Sequence, residues 1–359
     1  MPSQVSDIVE LSCPGKAFVA GEYAVLERGE PALVLAVDRR LHLTLRTLRD
    51  ARAELFHRPT GAALQGELTP SGISWRAGIP GELRFAARAA ALAARLCAEE
   101  HPTRGFQATF EDEFALRGRK LGLGGSAAAS VLAVRATCAA QGRELSPHDA
   151  VALAAASHWV EQGGRGSGAD VAACALGGLL EVRTRHAWGA AADPLHTTAR
   201  SLLDPAPVEA MPVKVPDRLR FLLAFTGMAA DSRALVGEVL AFAQARPGRW
   251  RRHVQDISAQ EGALRVALES GDEPGALDAV RRAAAAMAAL GVEAQAPIVT
   301  PDLARACAVA SSAGAAGKPS GAGGGDCAVV LAWGDAADRA QGALEVAGFD
   351  VLRVTPAIP

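Results

Sequence analysis

The chain has 359 residues, 50% hydrophobic and 21% charged, with a formal net charge of −2, long enough for two domains or one large one around a sizeable core. Near-neutral charge leaves no basic footprint for nucleic acid or an anionic membrane surface, and no apolar run approaches the roughly 18–20 residues that cross a bilayer. Six cysteines (Cys13, Cys97, Cys138, Cys174, Cys307, Cys327) lack CxxC spacing, and residues 1–10 lack the basic and apolar regions of a signal peptide, which argues against zinc and disulfides and for a reduced, cytoplasmic setting.

In chain order, residues 8–13 alternate loosely and predict a short strand leading to Pro14-Gly15-Lys16. Residues 17–20 predict a second short apolar run, ended by Gly21-Glu22-Tyr23. After the turn at Arg28-Gly29-Glu30-Pro31, residues 32–37 predict a buried strand, and 41–46, alternating with period two, a half-exposed one. Residues 49–80 are polar and glycine-dotted and predict hairpins and loops. Helical spacing runs over 83–100 and stops at His101-Pro102; residues 105–110 predict a strand. A glycine turn then opens a helix that reaches about residue 140. Ser146-Pro147 caps the next helix, which ends near Gly163-Gly164.

Residues 179–183 predict a strand, and the proline-dotted stretch 188–215 predicts the connection between two domains, residues 1–200 and 201–359. A buried strand over 219–225 precedes four helices, near 231–245, 251–268, 274–290 and 301–313. A last strand–helix–strand set follows at 328–332, 335–347 and 350–354. Helices and strands mix with no fixed repeat, so the class is α+β.

Three glycine-rich segments stand out. In Lys120-Leu121-Gly122-Leu123-Gly124-Gly125-Ser126-Ala127, three glycines in four positions feed an alanine-rich helix. A helix N-terminus exposes unpaired N–H groups and partial positive charge, and glycine lets a phosphate approach the backbone. Ser126 is placed either to cap the helix or to hold a metal ion; an ordinary cap behind a flexible loop is the plain alternative. The second segment is Gly163 through Gly168, with Ser167, followed by Ala169-Asp170, and the third runs from Lys318 through Ser320, Gly321 and Gly323 to Asp326-Cys327. The chain has only four lysines, and three of them (Lys16, Lys120, Lys318) lie in or beside glycine-rich segments, as does the single tyrosine, Tyr23. In a chain that uses arginine for generic positive charge, that placement points to function.

Common motifs fail. A P-loop would need glycine at Ser312 and a hydroxyl residue at Pro319; a dinucleotide fold would need an acidic residue about 20 positions after Gly122, following a strand. The eight histidines are dispersed, and His158, in an alanine-rich helix, reads as a packed histidine. What remains is Lys16 and Glu22, Lys120 and Ser126, Ser167 and Asp170, and Lys318 and Asp326. These supply the N–H donors, cations and carboxylate that phosphoryl transfer requires.

Pro14-Gly15-Lys16-Ala17-Phe18-Val19-Ala20-Gly21-Glu22-Tyr23 resembles the first motif of the GHMP kinase superfamily; residues 121–128 resemble its second, phosphate-binding motif and residues 318–327 its third. Tyr23, Gly166-Ser167-Gly168-Ala169-Asp170 and the Ser320 loop are most similar to the phosphomevalonate kinases of that superfamily. The resemblance implies an N-terminal domain like domain 2 of ribosomal protein S5 and a ferredoxin-like C-terminal domain, with ATP and acceptor meeting between them. It implies an ATP- and Mg²⁺-dependent kinase converting 5-phosphomevalonate to the 5-diphosphate, a monomer or homodimer with no nucleic-acid or membrane partner. Mevalonate kinase, another small-molecule kinase of the superfamily, the related decarboxylase and a non-catalytic nucleotide sensor are the alternatives.

By the same resemblance, Gly122, Leu123, Gly124, Gly125 and Ala127 wrap the ATP phosphates with Lys120 nearby, and Ser126 reaches Mg²⁺. Lys16 stabilises the transferred group. Asp170 is a general base or an electrostatic orienter. Glu22, Tyr23, Ser167, Gly168, Lys318, Ser320, Gly321 and Gly323 face the acceptor. For Lys120, Arg39 and Lys318 a solvated charge is the competing reading. Gly125 departs from the motif, which commonly carries a serine there.

Overall fold

In a computed structural model, the described residues are 8–98, 104–116, 119–185, 199–203 and 206–358. The chain opens with two long strands, β1 (Ile8–Ala20) and β2 (Pro31–Thr47), paired antiparallel from Ile8↔Arg46 to Ala20↔Leu33. Each replaces two short strands expected from the sequence. Pro14 has no N–H to give a ladder, and the register shifts between Pro14 and Gly15, so the Pro14-Gly15 signal marks a bulge within a continuous strand. Strands β3 (Arg52–His57), β4 (Ala62–Thr69) and β5 (Gly72–Trp75) form the expected hairpins. Helix α1 (Arg84–Ala98) and strand β6 (Phe106–Asp112) follow.

The short hairpin β7 (Ala115–Leu116) and β8 (Arg119–Lys120) leads into α2 (Gly125–Ala140). Then come α3 (Pro147–Glu161), α4 (Ala169–Leu176), β9 (Leu179–Thr184) and β10 (Val208–Pro212). The first sheet has eight strands among the described residues, in the order β10-β9-β2-β6-β3-β4-β5, with β1 on β2. Its inner face shows the period-two pattern: Leu41, Leu43 and Leu45 are buried, while His42 and Thr44 are half-buried. Helices α1–α4 cover that face with small side chains, which lets them lie close; Ala86, Ala90, Ala127, Ala128, Ala172 and Ala173 join one core. Because β10 pairs with β9, the first sheet extends beyond residue 200, where the sequence reading divides the chain. Residues 188–198 and 204–205 of the expected connection lie outside the described residues.

The second half begins with β11 (Leu219–Phe225), then α5 (Ser232–Ala245), α6 (Pro247–Ser270), α7 (Glu273–Ala294) and α8 (Pro301–Ser312). It closes with β12 (Ala316–Pro319), β13 (Cys327–Trp333), α9 (Ala336–Val346) and β14 (Asp350–Val354). These strands make a four-stranded antiparallel sheet, β12-β13-β11-β14. Alternation along β11 divides it between two cores: Leu222 and Ala224 pack with α8 and α9, whereas Phe221, Leu223 and Phe225 join the core of the first half. The two halves also meet at Tyr23 and Ala24, which pack with Leu235, Trp250 and Ile257 of α5 and α6. Among the described residues no helix is long and apolar enough to cross a membrane.

Candidate active site

A cleft of about 790 Å³ opens between the two halves, and all three glycine-rich segments reach it. Its lining includes Lys16, Glu22, Tyr23, Gly122, Leu123, Gly124, Gly125, Ser126, Ser167, Asp170, Ser320 and Gly321. Ala127, Gly168, Gly323 and Lys318 lie behind that wall, and the side chain of Lys120 falls outside the described residues.

The phosphate-loop candidate is pinned to β1. The Lys16 N–H donates to the Leu123 carbonyl at 2.8 Å, and Lys16 Nζ donates to the Gly122 carbonyl at 3.3 Å. Two glycines are required. Gly124 has φ +81° and a Cβ there would lie 2.8 Å from Lys16 Cγ; Gly122 has φ +64° and its Cβ would meet Asp326 Oδ2 at 2.6 Å. Gly124 is the N-cap of α2 and offers no side chain to it, while Ala128 is bonded to the Gly124 carbonyl. The N–H groups of Gly125, Ser126 and Ala127 therefore start the helix without an intrahelical acceptor, facing the cleft end of its dipole. That is a cradle for an anion. Gly125 is in no such constraint: a Cβ would meet only the Phe114 ring, at 3.4 Å.

Ser126 does not cap the helix. Its hydroxyl lies 3.2 Å from Nε2 of His158, and the same nitrogen lies 3.9 Å from Asp170 Oδ2. His158 is indeed packed, at 2% exposure with its ring 4.8 Å from that of Phe85, yet it connects two site residues. Periodicity could not reveal this, because α3 buries every side chain from Ala150 to His158. Burial lowers the imidazole pKa, so His158 is neutral at physiological pH, with Asp170 opposing and Lys16 reinforcing that shift. Asp170 sits in the first turn of α4, where the dipole favours a carboxylate, and its Oδ1 accepts the Val171 N–H at 2.9 Å. Gly168 is the left-handed N-cap of that helix, and Ser167 Oγ accepts the Ala169 N–H at 3.3 Å.

The third loop carries the main correction. Lys318 is not a solvated charge: it is 0% exposed on β12, and its Nζ donates to Glu22 Oε1 and, at 2.6 Å, to the Pro319 carbonyl. Glu22 is itself only 3% exposed, and its Oε2 has no hydrogen-bond partner among the described residues. The fully buried lysine reaches the cleft wall only through Glu22. Arg39 is exposed, as the plain reading had it. Gly323 serves packing, since a Cβ there would lie 2.1 Å from the Ile298 carbonyl.

Around this pair the loop is clamped to the first motif. Tyr23, strained at φ 66°, donates its hydroxyl to the Ala322 carbonyl at 2.6 Å, and Ser320 Oγ donates to the Phe18 carbonyl at 3.0 Å. Asp326 also enters the cleft; its Oδ1 accepts the Ala230 N–H at 3.1 Å, and burial raises its pKa, with Lys16 and that N–H pulling it back. No group of three or more His, Cys, Asp or Glu suited to a metal ion occurs among the described residues. A hard cation here would have to arrive with phosphate oxygens, taking one or two protein ligands.

Free N–H groups at a helix start, a lysine beside them and a carboxylate in the wall of the same cleft are the groups that phosphoryl transfer requires. Residues 85–178 match the family model of the GHMP kinase N-terminal domain and residues 264–348 that of the GHMP kinase C-terminal domain. A phosphomevalonate kinase of Streptomyces sp. (strain CL190) is 32% identical, covering 96% of each chain. The chain belongs to the GHMP kinase family. Among solved structures, a Lin0012 protein from Listeria innocua superposes with TM-score 0.88 at 26% identity over 98% of each chain. The Streptococcus pneumoniae phosphomevalonate kinase, in complex with phosphomevalonate and AMPPNP, superposes with TM-score 0.83 at 22% identity over 97% of this chain and 100% of that one. The two-domain α+β fold implied by the motifs is the fold found.

Proposed function

We propose that the protein transfers the γ-phosphoryl group of ATP to the phosphate of 5-phosphomevalonate, releasing ADP and the 5-diphosphate. The observation that carries the reading is the meeting of the three glycine-rich segments on one cleft, with Lys16 and Asp170 both in its wall; the Streptomyces relative supplies the acceptor. The bond formed joins an acceptor phosphate oxygen to the γ-phosphorus, and the bond broken joins that phosphorus to the β–γ bridging oxygen.

The N–H groups opening α2, with Gly122, Leu123, Gly124 and Gly125, hold the nucleotide phosphates. Ser126 would contribute a ligand to Mg²⁺ arriving with the nucleotide, and the ion would supply neutralisation of charge on the phosphate oxygens. Lys16, held by the Gly122 carbonyl, stabilises the group in flight. Ser167, Ser320, Gly321 and the Glu22–Tyr23 turn form the acceptor side. A phosphate monoester has a second pKa near 6, so at neutral pH its attacking oxygen already lacks a proton. Asp170 then acts as an orienting charge rather than as a base. A reduced cytoplasmic setting belongs to the same reading, supported by six free cysteines.

The test is ADP release by purified protein with ATP, Mg²⁺ and either mevalonate or its 5-phosphate. Turnover on mevalonate alone would replace the acceptor, and turnover on neither would favour a nucleotide sensor. Asp170→Asn should lower kcat by about 10²–10⁴ with nucleotide affinity kept. An orienting role predicts the same loss from pH 6.5 to 9; a loss that vanishes once the acceptor is fully ionised would make Asp170 the base.

A further inference from the structure

We infer that His158 is a positioning residue that aims the Ser126 hydroxyl at the nucleotide phosphates and ties that serine to Asp170. The assignment rests on the nucleotide-binding part of the proposed function and not on the identity of the acceptor.

Ser126 stands at the second position of α2, two past the N-cap residue Gly124, and no preceding helical turn offers it a carbonyl. Its described hydroxyl partner is His158 Nε2, at 3.2 Å. Two oxygens converge on that nitrogen: the Ser126 hydroxyl, which can donate or accept, and, at 3.9 Å, a carboxylate oxygen of Asp170. A bare lone pair there would face the carboxylate, so the tautomer the surroundings select carries its hydrogen on Nε2. Nε2–H donates to Ser126, and the serine's own O–H is left free to point into the cleft at a phosphate oxygen.

The ring cannot turn away, because it is packed against Phe85 and buried at 2% exposure. Phe85, Ser126 and Asp170 all line the cleft, whereas His158 does not. His158 therefore acts on the reaction only through other side chains. It joins the residue beside the nucleotide phosphates to the one beside the acceptor, across α2, α3 and α4.

Two isologous amides separate this role from simple packing. In His158→Gln the amide reaches the Nε2 position; in His158→Asn it stops near Nδ1, short of Ser126. Binding of Mg·AMPPNP, measured by titration calorimetry, and kcat/KM for ATP should stay within about threefold of wild type in His158→Gln. Both should fall roughly five- to fiftyfold in His158→Asn, the range of one lost hydrogen bond to a polar or charged partner. Ser126→Ala should cost as much in the wild type, and little more on top of His158→Asn. Equal values for the Gln and Asn variants, a better Asn variant, or a Ser126→Ala loss undiminished in the Asn background would each overturn the assignment. Nucleotide binding needs no acceptor, so absent turnover of phosphomevalonate would remove the acceptor reading and leave this result standing.

Discussion

Replacing Lys318 with Met keeps the stem that fills β12 and removes the cation from a pair exposed by only 0% and 3%. Glu22 Oε2 already has no partner among the described residues, so the variant leaves the carboxylate with neither oxygen paired to a cation. Breaking a buried pair on one side costs about 3–5 kcal/mol. At about 1.3 °C per kcal/mol for a chain of 359 residues, Tm should fall by about 4–7 °C. Glu22→Gln combined with Lys318→Met should recover most of the loss, because it removes the unpaired buried charge; thermal melts of the wild type and of the single and double variants make the comparison. A single variant within about 1 kcal/mol of wild type would mean that Lys318 is as solvated as a surface lysine and that the pair is not buried.

Further outcomes follow from the same geometry. Gly124→Ala should displace the Lys16 stem and lower kcat at least tenfold. Gly29→Ala, at the similar φ of +85° but with nothing within 4 Å, should cost about 1 kcal/mol of stability and no turnover; equal kcat losses would refute the steric account. Gly125→Ser should fold with stability within about 0.5 kcal/mol of wild type, since its Cβ meets only the Phe114 ring; a clearly lower melting point would show the glycine to be required. Burial, reinforced by the neighbouring Glu181 carboxylate, pushes the Glu261 carboxyl up to about 7 against the pull of Arg183 and Arg265. Its folded pKa is raised, so its contribution is present below about pH 4.5 and is lost as pH rises towards 7. Glu261→Gln should flatten the decline in stability over that window, by up to about 3 kcal/mol at roughly 1.4 kcal/mol per unit; an unchanged urea-denaturation profile would remove Glu261 from the pH response.

The glycine-rich segments, their order and the polar groups they carry were legible in the sequence, because glycine at a positive φ and a cap before a helix are local demands. Gly122 and Gly124 could be singled out without knowing that Asp326 and Lys16 fill the space their missing side chains leave. The long helices α6 and α7 and the period-two stretch of β2 were legible for the same reason. Local pattern failed where pairing runs through an interruption: β1 continues past Pro14 because β2 supplies the bulged register, a fact of the partner strand.

Charge was the least legible property. Lys318 and Glu22 are separated by 296 positions, and nothing near either one distinguishes a buried ammonium from a solvated one. His158 likewise looks like any packed histidine until α2 and α4 bring Ser126 and Asp170 to the same nitrogen. Which element forms is set by neighbours a few residues away, but the field at a side chain is set by whatever the fold packs against it. Those partners come from elements far apart in the chain, and packing alone selects them.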